Sequence, residues 1–498
     1  MTNGLSSADE RRSGFDIGAL DALGVRVGGL ATDSRKVRPH DLFLAYPGSR
    51  ADGRAHIDQA IAAGVSAVLW ESSGFRWNAA WRVPNLGVAD LRTHVGEIAS
   101  RFFGNPSRDM WLAGVTGTNG KTSCSHWIAQ SLTRLGRKTA VIGTLGSGFP
   151  GELNDALNTT PDALALQSTL AGLRDRGATA CAIEVSSHGI DQGRVNGTEF
   201  DVALFTNLSR DHLDYHKTMQ DYGAAKARLF HWPHLRHAVV NIDDHFGHEL
   251  AESIDKSRVS LLRYGFGKGE IAGHHLDLST RGLKLEITTP WGSAHLSSQL
   301  IGGFNAANLL GVLGVLMASE VSLRDAVESL AHVEPVPGRL QMVRMPNAPL
   351  VVVDYAHTPD ALEKVLRTLQ NLLPPGAKLH CVFGCGGDRD PGKRPLMGEV
   401  ATRLSNRVIV TSDNPRSEDP LAIIEDIIAG AHPNYAIETD RSTAIFKALE
   451  SAAPDDAVLI AGKGHETYQE VGTRRLPFDD VQVAREGLRR LTGAQRHA

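Results

Sequence analysis

Cysteine is scarce in this chain of 498 residues, which has four: Cys124, Cys181, Cys381 and Cys385. None forms a Cys-x-x-Cys pair or a Cys/His spacing suited to zinc, so a disulfide scaffold and a structural zinc site are both excluded, and all are read as reduced thiols. Charge of one sign is scarce too, the formal net charge being -4. With no broad positive field, nucleic acid is not an expected partner, and an anionic ligand must be held by local Arg, Lys or backbone groups. Long apolar runs are missing: stretches such as Ile61 to Trp70 fall well short of the ~20 residues a membrane span requires. Met1 to Arg12 is polar and lacks the apolar segment of a secretory signal. No membrane insertion and a cytoplasmic location are therefore expected. There is no repeat of fixed period and no low-complexity tract.

What is present is an ordinary globular composition, 42% hydrophobic and 22% charged, with enough apolar side chain for a packed core. Usual domain sizes allow roughly two to four domains at this length. Short apolar runs that read as buried strands alternate with stretches of helical periodicity, the pattern of βαβ units and parallel sheets. The fold class is α/β, and the pattern restarts twice. A first region closes near Asn85 to Asp90, ahead of a helical stretch from Leu91 to Phe103. A second opens with a strand at Trp111 to Val115 and runs to about His332. Val333-Glu-Pro-Val-Pro-Gly338 suits a connector. Beyond it, strands are predicted from Leu350 to Val353, Leu379 to Phe383, Arg407 to Thr411 and Ala457 to Ile460, with helices from Ala361 to Leu369 and from Leu421 to Ala429. The expected domains are 1–91, 92–336 and 337–498.

Trp111-Leu-Ala-Gly-Val115 leads into Thr116-Gly-Thr-Asn-Gly-Lys-Thr122, after which Ile128, Leu132 and Leu135 recur on one helical face. Strand, glycine loop and helix in that order aim backbone N–H groups and a helix N-terminus at a phosphate chain. Gly117, Thr118, Asn119, Gly120, Lys121, Thr122 and Ser123 are therefore candidate ATP contacts. Lys121 adds a point charge, and the Thr122 hydroxyl is suited to Mg²⁺. The widespread G-x-x-x-x-G-K-[ST] spacing would need glycine where this chain has Val115.

Ligands of a parallel sheet gather beyond the carboxyl ends of its strands. The run Thr179 to Val185 ends with Glu184 beside Ser186-Ser-His188, and Val202 to Phe205 ends in Thr206-Asn-Leu-Ser-Arg-Asp-His212. Glu184 and His212 are candidates to reach Mg²⁺ opposite Lys121, although magnesium prefers oxygen ligands and a lone histidine is more often structural. Lys226, in a helical stretch from Tyr222 to Phe230, reads by itself as a solvated surface cation.

In this order, G-T-N-G-K-T, E-V-S-S-H-G, N-L-S-R-D-H-L-D-Y-H and Y-x-x-A-K-x-x-L-F resemble the motifs of the Mur ligases, and the first is also similar to that of folylpolyglutamate synthases. The resemblance implies three domains: an N-terminal UDP-sugar-binding domain, a central P-loop-type ATPase domain on a parallel sheet, and a C-terminal Rossmann-like domain for an amino acid. It implies catalytic roles for Lys121, Glu184, His212 and Lys226, the last as a CO2-derived carbamate. Carbamylation would turn an ammonium into an anionic oxygen ligand that, with Thr122, Glu184 and His212, holds Mg²⁺.

Polar chemistry concentrates at three further strand ends: Gly384-Cys-Gly-Gly-Asp-Arg-Asp390, Ser412-Asp-Asn-Pro-Arg-Ser417 and Ala461-Gly-Lys-Gly-His-Glu466. Each alone would pass for a solvated loop. Together, with Arg389 and Arg416 suited to carboxylates and Glu466 to an ammonium, they describe a pocket for an amino acid with more than one charged end. Asp413-Asn-Pro-Arg416 resembles the motif of Mur ligases that add meso-2,6-diaminopimelate, whereas lysine-adding relatives lack this arginine. The resemblance assigns Arg389, Asp413, Asn414, Pro415, Arg416, Gly462 and Glu466 to that amino acid. Arg416 would pair with its second carboxylate and, left without that partner, would reject lysine.

The remaining matches are to ligand-binding segments of the same family. Thr32-Asp-Ser-Arg35 and Gly48-Ser-Arg-Ala-Asp-Gly53 resemble uridine-binding loops, which implies nucleotide-sugar contacts from Thr32, Ser34, Ser49, Arg50 and Ala51. Asn158, Thr159, Thr160, Ser186, Gln192 and Arg194 match positions that hold the muramoyl-peptide. Asn305, in Gly302 to Asn308, matches an adenine-side motif. Arg339 and Asp354 match segments by which the third domain closes over ATP. The activity so implied phosphorylates UDP-N-acetylmuramoyl-L-alanyl-D-glutamate on its γ-carboxylate with ATP and lets the amine of meso-2,6-diaminopimelate attack the acyl phosphate, in cytoplasmic peptidoglycan precursor synthesis. A monomer is expected. A sister ligase adding glutamate, a D-alanyl dipeptide or folate-linked glutamate is the nearest alternative, and a non-catalytic nucleotide switch a more distant one.

Overall fold

The computed structural model describes residues 18, 23–48, 51–155 and 158–494. The chain divides into two units, one drawn from Met1–Gly114, Arg137–Asp201 and Ala224–Arg236, the other from Val115–Gly136, Val202–Gly223 and His237–Ala498.

In the first unit, Gly29–Ala31, Asp41–Ala45, Ala67–Glu71 and Asn85–Val88 form a parallel sheet in chain order. Alternate residues of the strand Asp41–Ala45 serve two cores. Leu42 and Leu44 pack with Leu91, Val95 and Ile98 of the helix Leu91–Phe102, and Phe43 and Ala45 with Ile57 and Ala60. Both faces are covered, which is why these strands read as unbroken apolar runs. Elsewhere in the unit, Thr139–Gly143 pairs in parallel with Ala180–Glu184 and antiparallel with Gly146–Phe149, which pairs in turn with Glu152–Asn154.

In the second unit, Val202–Phe205, His237–Asn241, Ser260–Phe266 and Ile271–Ser279 are successive parallel neighbours. The parallel pattern expected up to His332 stops there, because Gly282–Thr289 and Gly292–Ser298 continue the sheet antiparallel. Their signature is period-2 burial, with Leu283, Leu285 and Ile287 buried and Lys284 and Glu286 exposed. The helix after the phosphate loop, Lys121–Arg134, packs on Gly303–Ala318. The connector at Val333 to Gly338 has no regular structure. It is tied to the phosphate-loop helix by Trp127 Nε1, which donates to the Glu334 carbonyl (3.0 Å), and by Gln130, whose side-chain oxygen accepts from Glu334 N–H (2.8 Å).

Beyond the connector lies a six-stranded sheet ordered Gln341–Val343, Leu350–Asp354, Ala457–Ala461, Leu379–Phe383, Arg407–Val410, Tyr435–Ile437. Its first strand is antiparallel and the rest are parallel. Pro359–Leu372, Lys393–Leu404 and Pro420–Ile428 cover one face, and Arg441–Glu450 with Asp480–Ala494 the other. The first of these helices begins at Pro359, ahead of the apolar periodicity, because Thr358 accepts from Ala361 N–H and proline suits the first helical turn. This is the doubly wound arrangement expected. No helix among the described residues is long and apolar enough to cross a membrane, and all four cysteines are buried free thiols.

Candidate functional site

The phosphate loop is held from below by the segment after Val202–Phe205. Thr206 Oγ1 donates to the Asn119 carbonyl (2.6 Å), Asn207 Nδ2 to the same oxygen (3.0 Å), and Asn119 N–H to Asn207 Oδ1 (3.1 Å). Gly117 has φ +146, and a Cβ there would lie 1.9 Å from Thr206 Oγ1. Gly120 has φ +88, and its Cβ would lie 2.7 Å from Asn308 Oδ1. Only glycine allows these approaches. Val115, where the common loop has glycine, is fully buried in the strand Trp111–Thr116. Lys121 Nζ donates to the carbonyls of Gly117 and Thr118, both at 2.9 Å. Thr122 and Ser123 open the helix and are buried. Asn305 Nδ2 donates to the Ile301 carbonyl (2.9 Å), and its Oδ1 lies 3.5 Å from Asn308 Nδ2, so Asn305 also stands beside the loop's helix.

In the first unit, Glu184 is fully buried at the end of Ala180–Glu184. Its carboxylate accepts from Thr144 N–H (2.8 Å) and Thr144 Oγ1 (3.1 Å). The sequence-predicted peptide contacts gather here: Thr159 Oγ1 lies 3.0 Å from Thr144 Oγ1, and Thr160 Oγ1 donates to the Glu184 carbonyl (2.8 Å) and meets Ser186 Oγ (3.0 Å). Arg194 donates to the Thr160 carbonyl (2.8 Å) and, through Nε and Nη2, to Gln192 Oε1 (3.0 and 2.7 Å). Asn158 is exposed. Thr144 is a member of this network that motif reasoning missed.

Three N-terminal residues are less directly poised. Ser34 is buried with its hydroxyl donated to Gln59 (2.8 Å), Thr32 is half-buried, and Ala51 is exposed. Ser49 and Arg50 lie outside the described residues. Lys226 is 1% exposed near the end of the helix Met219–Ala227, so the surface-cation reading is wrong: a lysine removed from water needs compensation. His212, in the second unit, is 45% exposed, sits at φ +54, and has its ring 3.4 Å from Asp211 Oδ2 and 6.0 Å between centroids from Tyr222.

The strand-end loops of the last sheet do converge. Asn414 donates to Glu466 Oε2 (2.7 Å), while its Oδ1 accepts from Lys463 Nζ (2.9 Å), and Lys463 is ion-paired with Glu466 at 3.1 Å. Lys463 is completely buried and was not singled out from sequence, because a lysine between two glycines looks like a solvated turn. A Cβ on Gly462 would lie 2.5 Å from Asp413 Oδ2, a buried acceptor with no hydrogen-bond donor. Pro415 is buried against Gly387, whose Cβ would strike the Pro415 carbonyl at 1.9 Å. Arg389 is exposed and donates to the Asp388 carbonyl at 3.2 Å. Arg416, at φ +53, donates through Nε to Glu470 (3.0 Å) and through Nη1 to the Gly387 carbonyl (2.7 Å). The expectation that Arg416 lacks a partner until a second carboxylate arrives is therefore corrected: Glu470 is a resident one.

Arg339 joins this region to the phosphate loop. Its Nη2 lies 3.4 Å from Thr122 Oγ1, and its guanidinium stacks 4.5 Å from the Tyr355 ring centroid. Tyr355 packs in turn 5.1 Å from His465. Asp354 does not face outward. Its carboxylate accepts from Leu340 N–H (2.7 Å) and Ala356 N–H (2.8 Å), and burial raises its pKa against the pull of Arg339. Burial, aided by the Arg339 charge, lowers His126 to about 4 and His465 to about 3. His126, His465 and Tyr355 carried no motif signal of their own.

A phosphate loop beneath an arginine from a doubly wound sheet, whose neighbouring strand ends gather buried acid and amide groups, defines the class of ATP-dependent ligases built from α/β domains. The sequence matches the catalytic domain of the Mur ligase family over residues 26–103, the Mur ligase middle domain over 115–316, and the Mur ligase glutamate ligase domain over 338–464. The chain belongs to the Mur ligase family. It is 50% identical over 476 residues to a UDP-N-acetylmuramoyl-L-alanyl-D-glutamate–2,6-diaminopimelate ligase of Chromobacterium violaceum, covering 95% of this chain and 97% of the relative. It is 47% identical over 515 residues to the enzyme of the same name from Nitrosomonas europaea, covering 99% of each. A solved structure of a ligase of that name superposes with a TM-score of 0.71 at 38% identity, covering 95% of this chain and 96% of that one.

Proposed function

We infer that this protein is the cytoplasmic, monomeric ligase that uses ATP to join meso-2,6-diaminopimelate to the D-glutamate of UDP-N-acetylmuramoyl-L-alanyl-D-glutamate. The observation that carries the reading is Arg416 in its Asp413-Asn-Pro-Arg416 loop, beside the Lys463–Asn414–Glu466 network, in a chain 50% identical to a ligase named for that reaction. We place the domain boundaries near residues 91 and 336.

A carboxylate is a poor electrophile, and phosphorylation of the glutamate γ-carboxylate supplies the leaving group that amide formation needs. Phosphoryl transfer depends mainly on positioning and charge neutralisation. Lys121 and the loop from Gly117 to Ser123 hold the phosphates, with Asn305 on the adenine side and Arg339 above the loop. Thr159, Thr160, Ser186, Gln192 and Arg194 hold the muramoyl-peptide, and Thr32, Ser34, Ser49, Arg50 and Ala51 the nucleotide-sugar. Thr122, Glu184, His212 and Lys226 as its carbamate would hold Mg²⁺, which neutralises phosphate charge when bound. Among the described residues no three His, Cys, Asp or Glu side chains cluster as a metal site; of the four donors, the hydroxyl, carboxylate and carbamate offer the oxygens a hard cation prefers, and His212 adds one nitrogen. Arg389 and Arg416 receive the two carboxylates of diaminopimelate, Asp413 and Glu466 its ammonium. Attack by the other amine expels phosphate.

Phosphate release from ATP with the UDP-muramoyl-dipeptide and each of diaminopimelate, lysine and glutamate tests the reading. Release dependent on diaminopimelate is expected. Equal release with lysine, or release only with glutamate, would move the protein to a sister activity.

A further inference from the structure

We propose that Glu470, on the hairpin following the Gly462 to Glu466 loop, is a positioning residue that sets selectivity for an amine substrate with a second carboxylate by aiming the guanidinium of Arg416. The proposal rests on the assignment of diaminopimelate as the substrate. It adds a residue, and an element, that no motif of the chain points to.

The hairpin pairs Tyr468–Val471 with Arg474–Pro477 and forms a two-stranded sheet of its own. Its main chain clips the loop that carries Arg416. Arg416 N–H donates to the Glu470 carbonyl (3.0 Å), Gly472 N–H to the Arg416 carbonyl (2.7 Å), and Glu470 N–H to Asn414 Oδ1 (2.9 Å). Gln469 Nε2 adds a bond to the Asp413 carbonyl (2.7 Å). None of these bonds uses the Glu470 side chain, so changing that side chain leaves the loop clipped.

The side chain acts on two guanidinium groups, those of Arg416 and Arg475. One carboxylate oxygen accepts from Arg416 Nε at 3.0 Å, and the other accepts from Arg475 Nε at 3.0 Å, with Arg475 stacked 4.4 Å from the Tyr468 ring centroid. At the far side Arg416 Nη1 donates to the Gly387 carbonyl at 2.7 Å. Nε and one N–H of Nη1 are thus occupied, and a guanidinium has further N–H groups at its terminal nitrogens. That terminal edge is the one able to take a carboxylate bidentately. Two anchors fix the plane of the fork. One anchor would leave it free to turn about the Gly387 contact.

Glu470 also places negative charge beside the arginine, which by itself weakens attraction for an incoming carboxylate. Aiming and charge therefore act with opposite signs on substrate binding, and variants separate them. Glu470→Gln keeps an acceptor for Nε and drops the charge; Glu470→Val drops both and suits a strand; Glu470→Ala drops both. With aiming dominant, Glu470→Ala and Glu470→Val raise KM for diaminopimelate about tenfold, the scale of one charge-assisted hydrogen bond, while Glu470→Gln stays within about twofold. In all three, kcat and the KM values for ATP and the UDP-muramoyl-dipeptide hold. An unchanged or lowered KM for diaminopimelate in the Ala and Val variants, in an enzyme whose wild type turns over diaminopimelate, overturns the proposal and leaves the substrate assignment standing. A wild type that releases no phosphate with diaminopimelate overturns both.

Discussion

His126 and His465 each bury a ring nitrogen without a hydrogen-bond partner, His126 Nε2 and His465 Nδ1, in the neighbourhood of Arg339. Desolvation comes first and the arginine charge second in holding both imidazoles neutral, at about 4 and about 3 against an ordinary value of 6.5. The unfolded chain takes up these protons as pH falls below its own value, while the folded protein resists until near the lowered ones. Their contribution to stability is thus complete above about pH 6.5 and is lost as pH falls through the window below it. Each imidazole adds a slope of about 1.4 kcal/mol per pH unit there. Thermal unfolding followed from about pH 7 to about pH 5 should show a falling midpoint, and His126→Gln should flatten that fall. A slope unchanged in the variant would place the proton uptake elsewhere.

At the scale of elements, the amine-side loops depend on a pair of helices behind them. Arg441, at the start of Arg441–Glu450, is fully buried and paired with Asp480, at the start of Asp480–Ala494, at 2.7 Å. Its guanidinium also donates to the Ala461 carbonyl (3.0 Å) and the Ser412 carbonyl (3.5 Å), the residues that open two of the site's loops. Removing Asp480 leaves the buried charge only a longer ion pair, with Asp413 at 3.9 Å, so Asp480→Ala should cost about 3–5 kcal/mol in denaturant unfolding. A loss below about 1 kcal/mol would mean that the two carbonyls and Asp413 suffice to satisfy Arg441. This pair also shows where sequence reading stopped. Four central strands of the last sheet, two of its helices and the three polar loops were legible because apolar runs, periodicity and glycine punctuation are local signals, whereas the short edge strands Gln341–Val343 and Tyr435–Ile437 carry too few apolar residues to stand out. Arg441 and Asp480 meet across 39 residues, and nothing in either neighbourhood names the other. The same holds for Lys463 with Asn414 and for Glu470 with Arg416. The antiparallel strands Gly282–Thr289 and Gly292–Ser298 were a different case, since their alternation was present and was absorbed into a parallel series.

For the whole molecule, the last sheet carries cores on both faces made almost entirely by residues after the connector, with Ile301 the buried outsider in one of them. The segment 337–498 should therefore fold when expressed alone and unfold cooperatively by circular dichroism, with some loss where Ile301 is missing. A melt without a cooperative transition would argue against a boundary near residue 336. The first unit cannot be isolated in the same way, because it is assembled from Met1–Gly114, Arg137–Asp201 and Ala224–Arg236, with stretches of the second unit threaded between. On a ribosome adding roughly 5–20 residues per second, on the order of ten seconds separate its first stretch from its last. During that interval the strand that ends in Glu184 emerges before the helix that carries Lys226, so the first unit cannot be finished in the order in which it is read. The nascent chain must hold an incomplete core while part of its neighbour is being made, and that interval is where a chaperone or a misfolded competitor has its opportunity.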